Sequence, residues 1–149
     1  MKLIWEQIID GEEEVIIRYR VRNAQIDAIA AMVQGTRPKI QAEWEGRTTL
    51  FWPEEIYYLE NVDGVTYGYL ENRVVRIPQS LKSLEKAYEN QGFFRCSKAM
   101  IINIYKIDFL KSEPGSRIRA TLENGEQVMI SRKYAKVLRQ ILKGEGGDE

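Results

Sequence analysis

The sequence predicts a mainly β fold, α+β overall, in which antiparallel strands carry a few short helices and a small ββαβ-like appendage comes first. Three observations carry this expectation. From residue 48 onward, short apolar or alternating runs recur about every 8–12 residues with turn residues between them. Asn124-Gly125 separates two such alternating runs and is the strongest short hairpin signal in the chain. Residues 1–47 differ in texture: two apolar-rich runs, one helical period and a third run, too little to be stable alone.

Residues 2–9 and 14–22 read as a first hairpin. KLIWEQII is rich in apolar residues, VIIRYRVR alternates in its second half, and Asp10-Gly11 is a turn signal. Asn23 can cap a helix whose apolar positions Ile26, Ile29, Ala30 and Val33 follow at helical spacing. Gly35 is its natural stop and Thr36-Arg37-Pro38 a loop. Residues 39–45 form the third strand, with Glu45-Gly46-Arg47 as its turn.

In the body, residues 48–52 are a strand, and Pro53-Glu54-Glu55 is a helical turn, since proline suits a first helical position. Strands at 56–61 and 65–70 flank a turn at Val62-Asp63-Gly64, and Glu71-Asn72 turns the chain into RVVRIP. Ser80 caps a helix with Leu81, Leu84 and Tyr88 on one face, ended by Gly92. Phe93-Phe94 enter the core, Cys96-Ser97-Lys98 is a loop, and MIINIYKIDFL runs on to a turn at Glu113-Pro114-Gly115-Ser116. RIRATL pairs with EQVMI across Glu123-Asn124-Gly125. Ser131 caps the last helix, whose apolar stripe is Tyr134, Val137, Leu138, Ile141 and Leu142. The division is therefore 1–47 appendage, 48–143 main domain and 144–149 acidic tail.

Composition narrows the function. The 149 residues hold no histidine and one cysteine, so a zinc site, a disulfide framework and any His-dependent nucleophile are not expected. Neither is an enzyme or a cofactor, because no catalytic set appears. No apolar run approaches the ~18 residues of a membrane span, and the N-terminus turns acidic where a signal peptide needs apolar residues. A reducing cytoplasm fits the cysteine usage. The formal net charge is zero, but residues 1–55 carry −3, residues 56–143 carry +6 and the tail −3. That asymmetry points to a polyanionic partner.

Two places concentrate the cations. Arg132, Lys136, Arg139 and Lys143 recur at helical spacing on one face of the last helix, with Lys133 beside them. Arg132 and Lys133 occupy the first turn, where the helix dipole disfavours cations, so stability is not their reason. That end also presents free N–H groups suited to phosphate. Arg95, Ser97 and Lys98 sit between an aromatic pair and an apolar strand, a rigid loop with donors for base edges or phosphates. Arg95 reads equally well as a structural ion-pair partner. Cys96 packs inward on this reading, and Trp52, Tyr57, Tyr58, Tyr67 and Tyr69 fill sheet faces.

Residues 48–142 resemble the LytTR DNA-binding domain of bacterial transcription regulators. Four motifs in order carry the resemblance: PEEIYYLENVDG, IPQSLKSLEKAY, FFRCSKAMIINIYKI and TLENGEQVMISRKYAKVLRQIL. It implies an antiparallel β fold whose loops, in place of a recognition helix, enter successive major grooves of bent double-stranded DNA. The contact places it implies are Asp63, Gly64 and Val65 after the first strand, Ser97 and Lys98 in the loop, and Arg132 opening the last helix. Many members carry a histidine where this chain has Ser97-Lys98, so the preferred DNA sequence is not inherited. The resemblance also implies a homodimer on direct repeats. The roughly 50 residues before Trp52 are too few for a receiver domain. They are similar instead to the appendage of a shorter subfamily controlled by a small membrane-protein partner.

The expected function is a cytoplasmic, sequence-specific regulator of transcription. Its DNA-binding set is Asp63, Gly64, Val65, Arg95, Ser97, Lys98, Arg132, Lys133 and Lys136. The alternative is a non-enzymatic protein-interaction or ligand-sensing β module whose basic face is solvated.

Overall fold

Tight turns with two residues in the left-handed region set the strand boundaries. Asp63 and Gly64 have φ of 51° and 82°, as do Glu45 and Gly46 at 50° and 74°, the signature of two-residue hairpin loops whose twist matches the flanking strands. The computed structural model describes residues 1–34 and 39–146. The chain divides into two units, residues 1–37 and 38–149.

In the smaller unit, helix α1 (Ala24–Gln34) forms as expected. Asn23 Oδ1 accepts from the Ile26 N–H at 2.9 Å and caps it. The hairpin expected at 2–9 and 14–22 is not built: among the described residues neither segment is assigned to a strand. A lone two-stranded hairpin is marginal in water, and Leu3, Ile4, Trp5, Ile16 and Val21 stay exposed. The expected stop at Gly35 and loop at 36–38 lie outside the described residues, as do residues 147–149.

Among its described residues the larger unit holds ten strands in two antiparallel sheets. The first has seven, in the order β2-β1-β5-β4-β3-β7-β6. These are β1 (Ile40–Trp44), β2 (Arg47–Phe51), β3 (Tyr58–Val62), β4 (Val65–Tyr69), β5 (Val74–Ile77), β6 (Phe93–Ser97) and β7 (Met100–Asn103). The second is β10-β9-β8, from β8 (Ile107–Glu113), β9 (Arg117–Leu122) and β10 (Gln127–Ile130). Helix α2 (Leu81–Tyr88) covers the first sheet, capped by Ser80 Oγ on the Ser83 N–H at 3.1 Å. Helix α3 (Arg132–Gly146) packs on β6 and β9.

Three expectations change. The strand at 39–45 forms, but Glu43 pairs with Arg76 of β5 and Ile40 and Ala42 join the core of the larger unit. It belongs to the main sheet, and the boundary falls at 37/38 instead of 47/48. MIINIYKIDFL is two strands in two sheets, because Asn103 turns the chain. Its Oδ1 accepts from the Tyr105 N–H at 3.1 Å, and its Nδ2 donates to the Ile56 carbonyl at 2.9 Å. The tail expected from 144 begins later: α3 continues to Gly146, since a glycine costs about 1 kcal/mol and does not stop a propagating helix.

Two cores result, meeting at β7. Ile101 packs with Leu84, Tyr88 and Phe93 in the first; Ile102, its neighbour, packs with Cys96, Ile130 and Leu138 in the second. Both faces of β7 are buried, which is why it reads as an unbroken apolar run. Along β6 the faces alternate: Phe93 lies in the first core and Cys96 in the second. Of the expected α3 stripe, Leu138 is buried and Tyr134 half-buried, while Val137, Ile141 and Leu142 are exposed.

Candidate nucleic-acid interface

The β3–β4 turn at Asp63-Gly64 is held from below by Asn61, whose Oδ1 accepts from the Gly64 N–H at 3.2 Å. The β6–β7 hairpin turns at Lys98-Ala99. Because β3 and β7 are antiparallel, with Glu60 opposite Met100, both turns leave the sheet at the same end. The Asn61 N–H donates to the Ala99 carbonyl at 2.8 Å and ties them together. The start of α3 joins the same rim, for the Ser131 N–H donates to the Cys96 carbonyl at 2.9 Å. Three places far apart in sequence therefore share one edge: Asp63, Gly64 and Val65; Ser97 and Lys98; Arg132 and Lys133.

The chain around Lys98 is more ordered than a loop. Cys96 and Ser97 end β6, with a register shift between Arg95 and Ser97. The Cys96 side chain is fully buried. Burial pushes its thiol up to about 12, against weaker opposing pulls from a backbone hydrogen bond and Arg95. This thiol is inert packing.

Arg95 lies on the α2 side of β6 and is engaged at all three nitrogens. Nε donates to the Ser97 carbonyl at 3.0 Å, Nη2 to the Lys98 carbonyl at 2.7 Å and Nη1 to Glu85 Oε1 at 2.9 Å. Its guanidinium closes the turn from beneath, anchored to α2. Glu85 was missed by sequence reasoning, since nothing in an amphipathic helix marks one polar residue as the partner of an arginine ten positions on. The Asn61 link to Gly64 was legible in principle as an Asx turn.

By contrast, the side chains of Lys98, Arg132 and Lys136 are exposed and have no hydrogen-bond or ion-pair partner among the described residues. Lys133 Nζ stands 5.3 Å from the Tyr134 ring centroid. Arg139, expected on the same face as Arg132, is turned to the Ser116 carbonyl at 3.2 Å, and Arg119 is held by Glu113 and Gln127. The free cations of this group thus cluster at the rim and along the first turns of α3.

Of the aromatics expected on sheet faces, Tyr58, Tyr67 and Tyr69 lie in strands, while Trp52 and Tyr57 fall between β2 and β3. Tyr58 and Tyr69 face each other across β3 and β4 and stack at 4.2 Å and 8°. Burial, then a hydrogen bond to Glu60 at 2.9 Å, pushes Tyr69 up to about 12, and burial raises Tyr58 further. Among the described residues no group of three or more His, Cys, Asp or Glu is placed to hold a metal, and no helix is long and apolar enough to cross a membrane. The three α-helices are separated by strands, so the described residues contain no helix-turn-helix pair.

Residues 46–143 match the LytTr DNA-binding domain family. The chain is similar to the sensory transduction protein LytT of Enterococcus faecalis, with 24% identity over 92% of this chain and 59% of that one. It is also similar to an HTH-type transcriptional regulator of Staphylococcus aureus, with 31% identity over 60% of this chain and 65% of that one. The chain thus spans about three-fifths of the length of these curated relatives. Among solved structures, the LytTr DNA-binding domain of a Bacillus cereus protein superposes with a TM-score of 0.67 at 24% identity, covering 71% of this chain and 97% of that one.

Proposed function

The chain belongs to the LytTr DNA-binding domain family, and from that premise we propose that it regulates transcription by reading double-stranded DNA with the rim of its larger unit. The observation that carries this reading is the convergence of Asp63-Gly64, Lys98 and Arg132 on one edge, through Asn61 to Ala99 and Ser131 to Cys96. Lys98 and Arg132 are the base readers, each able to donate to guanine or phosphate. The exposed Asp63-Gly64 turn, with half-buried Val65 opening β4 behind it, follows the backbone of the adjacent groove. Lys133 and Lys136 neutralise phosphates along α3. Arg95 sits behind these readers and positions them, since its donors are engaged inside the fold. The protein works in a bacterial cytoplasm as a homodimer, and control enters through the smaller N-terminal unit, by pairing of two copies or by docking of a small membrane protein.

The test begins by selecting a duplex from a randomised library with the full chain. Arg132→Ala then costs about 1–3 kcal/mol in binding that duplex and relaxes its sequence preference, as removal of a base contact does. A folded Arg132→Ala, Lys98→Ala double variant that binds the selected duplex like wild type removes the site assignment. A folded wild-type chain with no salt-sensitive DNA binding removes the regulator reading, leaving the protein-interaction module.

A further inference from the structure

We propose that residues 12–20 pair with the same residues of a second copy, as an antiparallel ribbon whose two-fold axis passes through Ile16. The inference deepens the homodimer reading above and rests on it for its biological context.

Residues 12–19 have no helix, strand pairing or bend, and no backbone–backbone hydrogen bond among the described residues involves residues 1–22. Alternation is nonetheless marked. The even positions read Asp10, Glu12, Glu14, Ile16, Arg18, Arg20, Arg22: three acids, an isoleucine, three bases. The odd positions read Glu13, Val15, Ile17, Tyr19, Val21. A strand with this pattern has one charged face and one face that is apolar from Val15 onward, with Glu13 at its edge, and Val15, Ile16, Tyr19 and Val21 are all more than half exposed.

Only one simple pairing satisfies the charged face. Two copies running antiparallel about Ile16 place Glu14 opposite Arg18, Glu12 opposite Arg20 and Ile16 opposite itself, each pair occurring twice by symmetry. A parallel ribbon puts like charges on like. A hairpin folded back on Asp10-Gly11 puts Glu14 on Gln7 and Arg18 on Leu3, leaving both charges without partners. Asp10 and Arg22 fall outside the regular part: Gly11 bends the chain at φ 95°, and Arg22 is engaged by Asp27 of its own copy. The odd face stacks Val15 against Ile17 of the other copy. Because a two-stranded ribbon is marginal alone, its apolar face needs cover, and Trp5, Met32 and Val33 of the same unit are exposed apolar side chains available for it.

The test uses the full chain. Directly opposite residues in an antiparallel pair lie about 4.5–5.5 Å apart at Cα, within disulfide range. Ile16→Cys therefore oxidises to a covalent dimer. Val21→Cys, about 33 Å from its symmetry mate at the rise of a strand, does not; native Cys96 is buried and stays silent. In sedimentation equilibrium, Glu14→Arg and Arg18→Glu each raise the dimer dissociation constant by about tenfold, since two attractive pairs become repulsive. The double reversal restores it. Cross-linking at Val21 equal to that at Ile16, or a double reversal no better than either single, overturns the proposal. DNA titrations on the same variants separate the two readings: a monomer that binds the selected duplex overturns the ribbon alone, and a charge-dependent dimer without DNA binding overturns the regulator alone.

Discussion

Replacing Arg95 with alanine separates a positioning role from a direct contact. The guanidinium holds two backbone carbonyls, at 3.0 and 2.7 Å, and one carboxylate at 2.9 Å. The side chain is 20% exposed, so each carbonyl bond from this charged donor contributes about 1–1.5 kcal/mol. The Glu85 carboxylate is 39% exposed, and solvent screening holds the ion pair to about 0.5 kcal/mol. Arg95→Ala should thus cost about 3 kcal/mol, a fall of about 6–12 °C in Tm for a chain of this length. Glu85→Ala should cost only the last part. The decisive assay is DNA titration across salt. If Arg95 only holds the Lys98 turn in place, specific affinity drops while the slope of log K against log salt keeps its wild-type value. If Arg95 instead neutralised a phosphate, its removal would reduce that slope by about 0.9. A slope change of that size, or an unchanged Tm, refutes the reasoning.

Further outcomes follow from the same geometry. Lys136→Ala should weaken selected and scrambled duplexes alike and reduce the salt slope by about 0.9, measured by fluorescence anisotropy; a loss confined to the selected duplex contradicts a phosphate role. Gly92→Ala should destabilise by about 2 kcal/mol or more in urea unfolding, because φ is 94° and a Cβ would stand 2.8 Å from Asn103 Oδ1. Leu138→Ala, at a fully buried site of the second core, should cost about 2–5 kcal/mol by the same measurement. Cys96 and Tyr69 both titrate near 12 in the fold, above their ordinary 9 and 10. Their stabilising contribution is therefore complete below about pH 9 and is lost as pH rises from there through 12. Urea midpoints should fall above pH 9, less steeply in Cys96→Ala; a flat midpoint to pH 11 contradicts this.

Much of the fold was legible because its signals are local. Asp63-Gly64 and Asn124-Gly125 announce turns by residue type alone, and both turns form, with Gly125 at φ 88°. Asn23 and Ser80 announce caps, and both cap. Where local signals coincided with a missing partner, the reading failed: residues 2–9 and 14–22 have the composition of strands, but a strand needs a neighbour. The break at Asn103 was hidden inside an apolar run, since its cause is a hydrogen bond to Ile56, 47 residues away.

The site divides in the same way. By itself the sequence determined where cations stand: Lys98 beside an apolar strand, and Arg132 in a first helical turn, where the helix dipole disfavours a cation. It also determined the alternating charges about Ile16. Only the tertiary structure decided that Asp63, Lys98 and Arg132 share a rim, that Arg95 faces inward, and that Glu85 is its anchor. Those facts depend on β3 lying beside β7 and on Ser131, just before α3, being bonded to the Cys96 carbonyl. Such pairings join residues tens of positions apart, through backbone groups that every residue carries alike. Side-chain identity therefore announced the turns and the charges, and strand pairing alone brought them together.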